Sequence, residues 1–340
     1  MSTISDVAKA AGVSVATVSR ALRGLDRVNP QTRAKVLQVA EQLQYVASPT
    51  AASLASGRTR VVGVVAPFLT RWFFATLLSG IEKSLREHGH HVVLFDLEAE
   101  PMGRRMRLTQ SMLWKRVDGV VVLNVPMDDA ERELIERLEL PVVTVGNRVG
   151  GWPCVRIDDT AAMVLAAQHV IDLGHTEIAY VGVVPHDSDH LQTPLERRSA
   201  FLATMEAAGL SCPPEWLVDS DWTASGAAAH VVPVLTGAHR PTAVVAASDE
   251  MAIGVLCAAR RLGIAVPGEL SVVGIDDHTF ADVMDLSTVR QNVDEQGRRA
   301  GQILMGQILG SDTPPPDELV LPVELVVRSS TAAPCRPANP

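Results

Sequence analysis

The sequence predicts a small all-α helix-turn-helix domain followed by a two-lobed α/β core with parallel sheets. Short apolar stripes at helical spacing fill the first 45 residues. From Val61 onward, Val-rich runs alternate with amphipathic stretches, the signature of parallel sheets covered on both faces. At 340 residues and 47% apolar, the chain can bury the cores of two or three domains.

The head begins with Thr3, three residues before Asp6, a capping-box spacing with a carboxylate in place of Glu. Ile4, Val7, Ala8 and Ala11 then give one helix a buried stripe, and Gly12 ends it because glycine takes left-handed backbone angles at no steric cost. Ser14 caps a second helix that continues through Ala16–Leu22. Two short helices joined by a tight turn read either as an ordinary helical hairpin or as a helix-turn-helix, whose second helix enters the DNA major groove. Asn29 and Pro30 start a third helix, with Ala34, Leu37, Val39, Ala40 and Leu43 as its apolar face. Tyr45 completes the small core, and the head spans 1–46.

Residues 47–60 form a linker in which Ser48 to Gly57 reads as cap, proline, small helix formers and terminal glycine. A helix this short is marginal in water. Two readings stand: a flexible Ala/Ser linker, or a hinge helix that folds only when docked.

In the core, Val61–Ala66 is a buried strand, followed by a helix with Phe74, Leu77, Leu78, Ile81 and Leu85 on one face. Further strands are expected at 91–97, 118–124, 141–146, 178–183, 216–219, 242–248 and 270–275. Helices are expected at 103–114, 128–139, 160–173, 195–208, 224–235, 249–262 and 293–309. So many strands imply two sheets in two lobes, with ligands bound beyond the carboxyl ends of the strands, in the cleft between them. The tail at 331–340 is small and Pro-rich and is expected to be disordered.

Charge separates the two parts. Residues 1–60 carry eight basic side chains against three acidic ones, a net of +5, which leaves −14 of the total −9 for the other 280 residues. A basic head on an acidic body suits phosphate binding by one end only. No apolar run approaches the roughly 20 residues of a membrane span, and no signal peptide is visible, so a cytoplasmic location with no membrane partner is expected. Cys154, Cys212, Cys257 and Cys335 lie far apart, which favours neither a disulfide framework nor a zinc site. His88, His90, His91 and His175 lack a matching second ligand set, and His90 and His175 fall at helix-to-strand turns. Asp276 and Asp277 have no neighbouring nucleophile, and no Walker, G-x-G-x-x-G or G-x-S-x-G motif occurs. Metal, cofactor and catalysis are therefore not expected.

The stretch Asp6-Val-Ala-Lys-Ala-Ala-Gly-Val-Ser-Val-Ala-Thr-Val-Ser-Arg20 closely resembles the LacI/GalR family of bacterial transcription regulators. Tyr45 to Leu54, Gly57-Arg-Thr59, Trp72-Phe-Phe74, Arg116-Val-Asp-Gly-Val120, Ser248-Asp-Glu-Met251, Val273-Gly-Ile-Asp-Asp277 and Thr288-Val-Arg-Gln291 extend the resemblance along the chain. It implies a repressor that binds near-palindromic operator DNA as a homodimer, with a core similar to periplasmic sugar-binding proteins and a small effector, a sugar or sugar derivative, in the cleft. The core would span 61–330, with an N-lobe of about 61–159 and 290–320 and a C-lobe of about 160–289 and 321–330. The chain departs from the family at Ala47, Ser48 and Pro49 in the hinge, at Ala52, at Asn147, and in a shortened loop between Asp277 and Thr288.

By the same resemblance, DNA contacts fall on Ser5, Ser14, Val15, Ala16, Thr17, Ser19, Arg20, Arg23, Asn29, Ala51 and Leu54. Val15 and Ala16 suit thymine methyls, the hydroxyls of Ser14, Thr17 and Ser19 suit phosphates, and Arg23 can reach either a base or a phosphate. Leu54 matches the leucine that family members push into the minor groove. Effector contacts map onto Trp72, Phe73, Asn147, Arg148, Arg197, Trp222, Ser248, Asp276 and Gln291. Of the three adjacent aromatics, Phe74 is assigned to the core and Trp72 to the cleft. Aromatic faces beside a carboxylate and a guanidinium are what a sugar ring and its paired hydroxyls require. A solute-binding protein with a vestigial head, or an enzyme on a doubly wound fold, would be the alternatives. The +5 head and the missing catalytic group argue against them.

Overall fold

In a computed structural model, residues 2–22, 24–45, 57–97, 106–184 and 192–335 are described. The chain divides into two compact units, 1–60 and 61–340. The expected hinge at 48–56, with Ala51 and Leu54, lies outside the described residues, as does Arg23.

In the first unit, α1 (Ile4–Ala11) opens on the full capping box: Asp6 N–H donates to the Thr3 hydroxyl, and the Asp6 carboxylate takes the Thr3 N–H. Gly12 closes it with φ 67°, in the left-handed region. The helix α2 (Val15–Leu22) follows, with Thr17 N–H donating to Ser14 Oγ at 3.1 Å. Asn29 caps α3 (Pro30–Gln42) by accepting from Gln31 N–H. Val7, Ala8, Ala11, Val18, Ala21, Val36 and Ala40 form the core, with Val39, Leu43 and Tyr45 packed against it. The face expected of α3 was partly misplaced. Val36 is buried in its place, whereas Ala34 and Leu37 point outward, because positions 36, 39, 40 and 43 share one stripe and 34 and 37 lie off it.

The second unit alternates strand and helix. Its first half runs β1 (Val61–Ala66), α4 (Trp72–Glu87), β2 (His91–Asp96), α5 (Gln110–Leu113), β3 (Gly119–Leu123), α6 (Asp129–Arg137), β4 (Val142–Val145) and β5 (Cys154–Ile157). There follow α7 (Asp159–Asp172), β6 (Ile178–Gly182), α8 (Gln192–Ala207), β7 (Leu217–Asp219), α9 (Ala224–His230), α10 (Val232–Thr236) and β8 (Ala243–Ala246). The chain ends with α11 (Asp249–Leu262), β9 (Ser271–Asp276), α12 (Thr279–Val283), β10 (Ser287–Gln291), α13 (Val293–Leu309), β11 (Glu318–Leu321) and β12 (Val323–Val326).

One six-stranded sheet has the order β11-β5-β4-β3-β1-β2, the other β12-β10-β9-β8-β6-β7, and only the β10–β12 pair is antiparallel. The chain therefore passes between the sheets three times, after Ile157, after Gln291 and after Leu321.

Five local expectations fail. The helix expected at 103–114 is confined, among described residues, to Gln110–Leu113. The one expected at 224–235 is broken at Val231, because Pro233 has no N–H for the helical ladder. The strands β5, β10 and β11 were not anticipated. β5 is short and carries Arg156, and β10 buries Ser287 and Thr288. Nor is the whole 331–340 tail loose. His169 Nε2 meets the Thr331 hydroxyl at 2.9 Å, and Ala332 N–H donates to Ser271 Oγ at 3.0 Å. His175 Nδ1 lies 2.8 Å from Thr242 Oγ1 and its Nε2 lies 2.8 Å from the Ala332 carbonyl, so this imidazole anchors the chain's last turn. Residues 336–340 lie outside the described residues. Among the described residues no helix is long and apolar enough to cross a membrane.

In the N-lobe, α4 packs against α13 with their backbones in contact. A Cβ at Gly297 would fall inside the van der Waals radius of the Leu77 carbonyl oxygen, and one at Gly80 inside that of Asp294. Replacing Gly297 with alanine gains about 1 kcal/mol of helix propensity. The overpacking should outweigh this, for a net loss of about 1–3 kcal/mol in urea denaturation of the full chain. A Gly297→Ala protein as stable as the parent would contradict this packing.

Candidate functional site

The head presents one surface suited to a duplex. Val18 and Ala21 hold α2 to the core, which turns Val15, Ala16 and Arg20 outward. Val15 is 43% exposed, and an apolar side chain at a helix start suits a groove with base methyls. Ser14 and Thr17 share a 2.9 Å hydroxyl contact at the same end, and Thr17 and Ser19 are half-buried. Ser5 and Asn29 are exposed, although the Asn29 carbonyl oxygen is engaged as a cap.

The core holds a cavity of about 420 Å³. Its lining follows directly from the topology, because most of it comes from the residues just past strand ends. Phe68 follows β1, Asn124 β3, Asn147 β4, Trp222 β7 and Ser248 β8, while Asp276 and Gln291 end β9 and β10. Trp72, Phe73 and Phe74 come from the first turn of α4, and Arg197 from α8. Of the nine expected effector residues, eight line this cavity. Arg148 does not: its side chain is directed outward, 3.6 Å from Glu318 Oε2, because the residue after Asn147 faces the other way along the chain. The division among the aromatics also appears. Phe74 is buried in the N-lobe core and reaches the cavity with one edge, and Trp72 packs its ring on His278 with centroids 4.7 Å apart.

Strained backbone gathers here. Asn124, Trp222, Asp276 and Asp277 have φ of 47°, 63°, 139° and 58°. Non-glycine residues hold such angles only where the surroundings enforce them, typically at functional sites. Gly146 is required as well, since a Cβ there would collide with the Asn124 amide.

The polar groups differ in how far they are committed. Arg197 is buried and satisfied: Nε donates to Asp159 Oδ1 at 2.7 Å, a terminal nitrogen lies 2.7 Å from the same oxygen, and the other donates to the Ala247 carbonyl. Asn147 is 4% exposed, and neither its amide nitrogen nor its oxygen has a partner. Buried polar atoms are nearly always paired, and this amide lines the cavity without a partner in the protein.

Two carboxylates stand together. Asp249 accepts from the Thr288 hydroxyl at 2.7 Å and from His278 N–H at 2.8 Å. Asp276 accepts from Gln291 Nε2 at 2.6 Å and from the Asp249 N–H. Burial raises both above the ordinary carboxylate range, and the charge of Asp276 pushes Asp249 further up. For Asp276 the Arg197 guanidinium works in the opposite direction.

Some lining residues were not anticipated. Asn124 could have been found from its place after a Val-rich strand. Glu250 stood inside a recognised motif without a role, yet its Oε1 accepts the Trp72 N–H at 3.2 Å from the opposite lobe. That contact caps α4, which has no side-chain cap of its own. Among the described residues, no group of three or more His, Cys, Asp or Glu side chains could hold a metal ion.

Comparison with known proteins agrees with this architecture. Residues 3–48 match the model for bacterial regulatory proteins of the lacI family, and residues 167–331 match a periplasmic binding protein-like domain. The chain is 31% identical over 320 residues to the HTH-type transcriptional repressor PurR of Klebsiella pneumoniae (strain 342), covering 91% of each protein. Among solved structures, the transcriptional regulator CelR–cellobiose complex superposes with a TM-score of 0.70 at 29% identity, covering 97% of this chain and 100% of that one. The lac repressor dimer bound to operator and the anti-inducer ONPF superposes with a TM-score of 0.84 at 24% identity, covering 98% and 99%.

The raised carboxyls fix a sign for pH. The folded core keeps protons that the unfolded chain has lost, so their contribution to stability is complete below the unfolded carboxyl pKa. It is lost as pH rises through the folded-state values. Asp249→Asn can keep both hydrogen bonds if its oxygen takes the His278 N–H and its NH₂ donates to the Thr288 hydroxyl. It should raise stability at pH 8 by about 1–3 kcal/mol and flatten the pH profile of thermal denaturation. A variant less stable than the parent at pH 8, with an unchanged profile, would contradict the paired burial.

Proposed function

Because the chain belongs to the lacI family of bacterial regulatory proteins, we propose that it is a transcriptional repressor that binds a near-palindromic operator as a homodimer. A small effector in the core cavity then alters its DNA affinity. The observation that carries this reading is the pairing, in one chain, of an exposed second helix on a +5 head with a cavity whose Asn147 amide has no partner. A solute-binding protein has no use for the first, and the relatives are regulators rather than enzymes.

In this reading the head (1–46) and hinge (47–60) bind DNA and the core (61–330) binds effector. Val15, Ala16 and Arg20 meet base edges, and Arg23 meets a base or a phosphate. Ser5, Ser14, Thr17, Ser19 and Asn29 set the register on the phosphates. Ala51 and Leu54 enter the minor groove at the operator centre, where an inserted leucine kinks the duplex at a cost that depends on the base step. The lac repressor structure is of a dimer on operator, and CelR was solved with cellobiose. The first supports a dimer here and the second a saccharide-like effector. Trp72, Phe73 and Trp222 would cover the apolar face of such a ring. Asn147, Ser248, Asp276 and Gln291 would take its polar groups, with Arg197 fixing the geometry of the floor. The protein would act in the cytoplasm, where its operator is.

A gel shift with the DNA upstream of its own gene tests this reading. Affinity should fall by about a hundredfold or more between 50 and 200 mM salt, because basic side chains of two heads release counterions from the phosphates. Absent binding, or a flat salt response, would contradict it.

A further inference from the structure

The charge around the cavity does not balance for a neutral or anionic guest. Four ionisable side chains line it: Arg71, Arg197, Glu250 and Asp276. Arg197 is spent on Asp159, with two of its nitrogens within 2.7 Å of one carboxylate oxygen. Arg71 lies flat over the Phe68 ring, 4.2 Å from its centroid. It donates to the Asp221 carbonyl at 3.0 Å, beside a carboxyl whose pKa is held down chiefly by hydrogen bonds from Thr223 and to a lesser degree by Arg71. On the acidic side, Asp276 accepts from an amide and a backbone N–H and shares the field of Arg197 with Asp159, and Glu250 receives a neutral N–H from Trp72. Behind them Asp249 is wholly buried, accepting hydrogen bonds from a hydroxyl and a backbone N–H. Among the described lining residues, the carboxylates thus exceed the uncommitted cations.

Two further features of the same cavity point to a ligand. Trp72, Trp222, Phe68 and Phe73 line the same cavity as the acidic groups, and aromatic rings attract cations, most strongly where water is excluded. The buried Asn147 amide offers one donor side and one acceptor side that nothing in the protein uses.

We propose that the effector is an amino sugar, a polyhydroxylated ring carrying one protonated amine. The ammonium sits between the Asp276 and Glu250 carboxylates against the indole faces, and the Asn147 amide takes ring hydroxyls. The inference rests on the cavity being the effector site and names the class of effector. The same charges select against sugar phosphates and uronic acids, whose anionic groups would meet the Asp276 and Glu250 carboxylates.

The test uses the full-length protein and matched probes: D-glucosamine, D-galactosamine and D-mannosamine, each against its neutral hexose and its N-acetyl derivative, in thermal shift and calorimetric titration. Acetylation keeps the ring and removes the charge. At least one amine should bind ten times or more tightly than both of its neutral counterparts. Glu250→Gln, whose amide oxygen can still accept the Trp72 N–H, and Asp276→Asn should each bring that ratio towards one. A cooperative thermal transition and a parent-like far-ultraviolet circular dichroism spectrum for each variant show that it is folded. The proposal is overturned if no amine stabilises the protein, if a neutral sugar binds as well as its amine, or if the preference survives both substitutions. A neutral sugar that alters operator binding would overturn the amine and leave the regulator standing. An amine that binds with no effect on operator would uphold the amine and remove the regulator.

Discussion

The buried ion pair between Arg197 and Asp159 holds the C-lobe half of the cavity together. Asp159 begins α7 two residues after β5 leaves the N-lobe sheet. Arg197 projects from α8 and reaches the Ala247 carbonyl just past β8. One guanidinium therefore ties two helices and a strand end to a crossing point of the chain. Burying two charges is costly, and removing one partner of such a pair typically costs about 3–5 kcal/mol. The pairing also decides the electrostatics of the cavity, because the most deeply buried lining cation is already neutralised when a ligand arrives.

Around this floor the two lobes touch through polar contacts. Glu250 caps α4 across the cleft, Arg71 reaches the Asp221 carbonyl, Arg148 N–H donates to Gln192 Oε1, and Arg156 pairs with Glu196 at 3.4 Å. Such bonds are individually worth about 1 kcal/mol and can be exchanged for ligand contacts. By contrast, α4 and α13 are locked by glycines that leave no room to slide. A stiff N-lobe, a pinned C-lobe floor and an exchangeable polar seam between them favour motion of whole lobes over deformation within them. The strained angles at Asn124, Trp222, Asp276 and Asp277 lie along that seam, where a ligand has most to gain from groups already in place.

Much of this was legible in the sequence, because the strongest signals came from burial. Val-rich runs placed eight strands, and the family resemblance one final strand without bounds. The same resemblance brought eight of nine expected residues to one cavity. What was missed has physical causes. β10 is buried yet polar, its Ser287 and Thr288 satisfied by Arg328, Ser330, Thr331 and Asp249, so periodicity could not reveal it. The direction of Arg148 depends on one backbone step after a glycine with φ 84°. Glu250 matters through a backbone N–H 178 residues away in sequence, a contact that no local pattern encodes. In the head, the face of α3 was misjudged at Ala34 and Leu37 by one step of the helical wheel.

The central claim is that the cavity and the DNA-binding head share one free-energy cycle. Reciprocity is its direct measure. For a compound that stabilises the core, affinity for the protein is titrated with and without saturating operator, and operator affinity with and without saturating compound. The account predicts one common factor in both directions, differing from unity by about 5–150-fold. A factor of one, with the compound bound in the cavity and operator affinity unmoved, would contradict it.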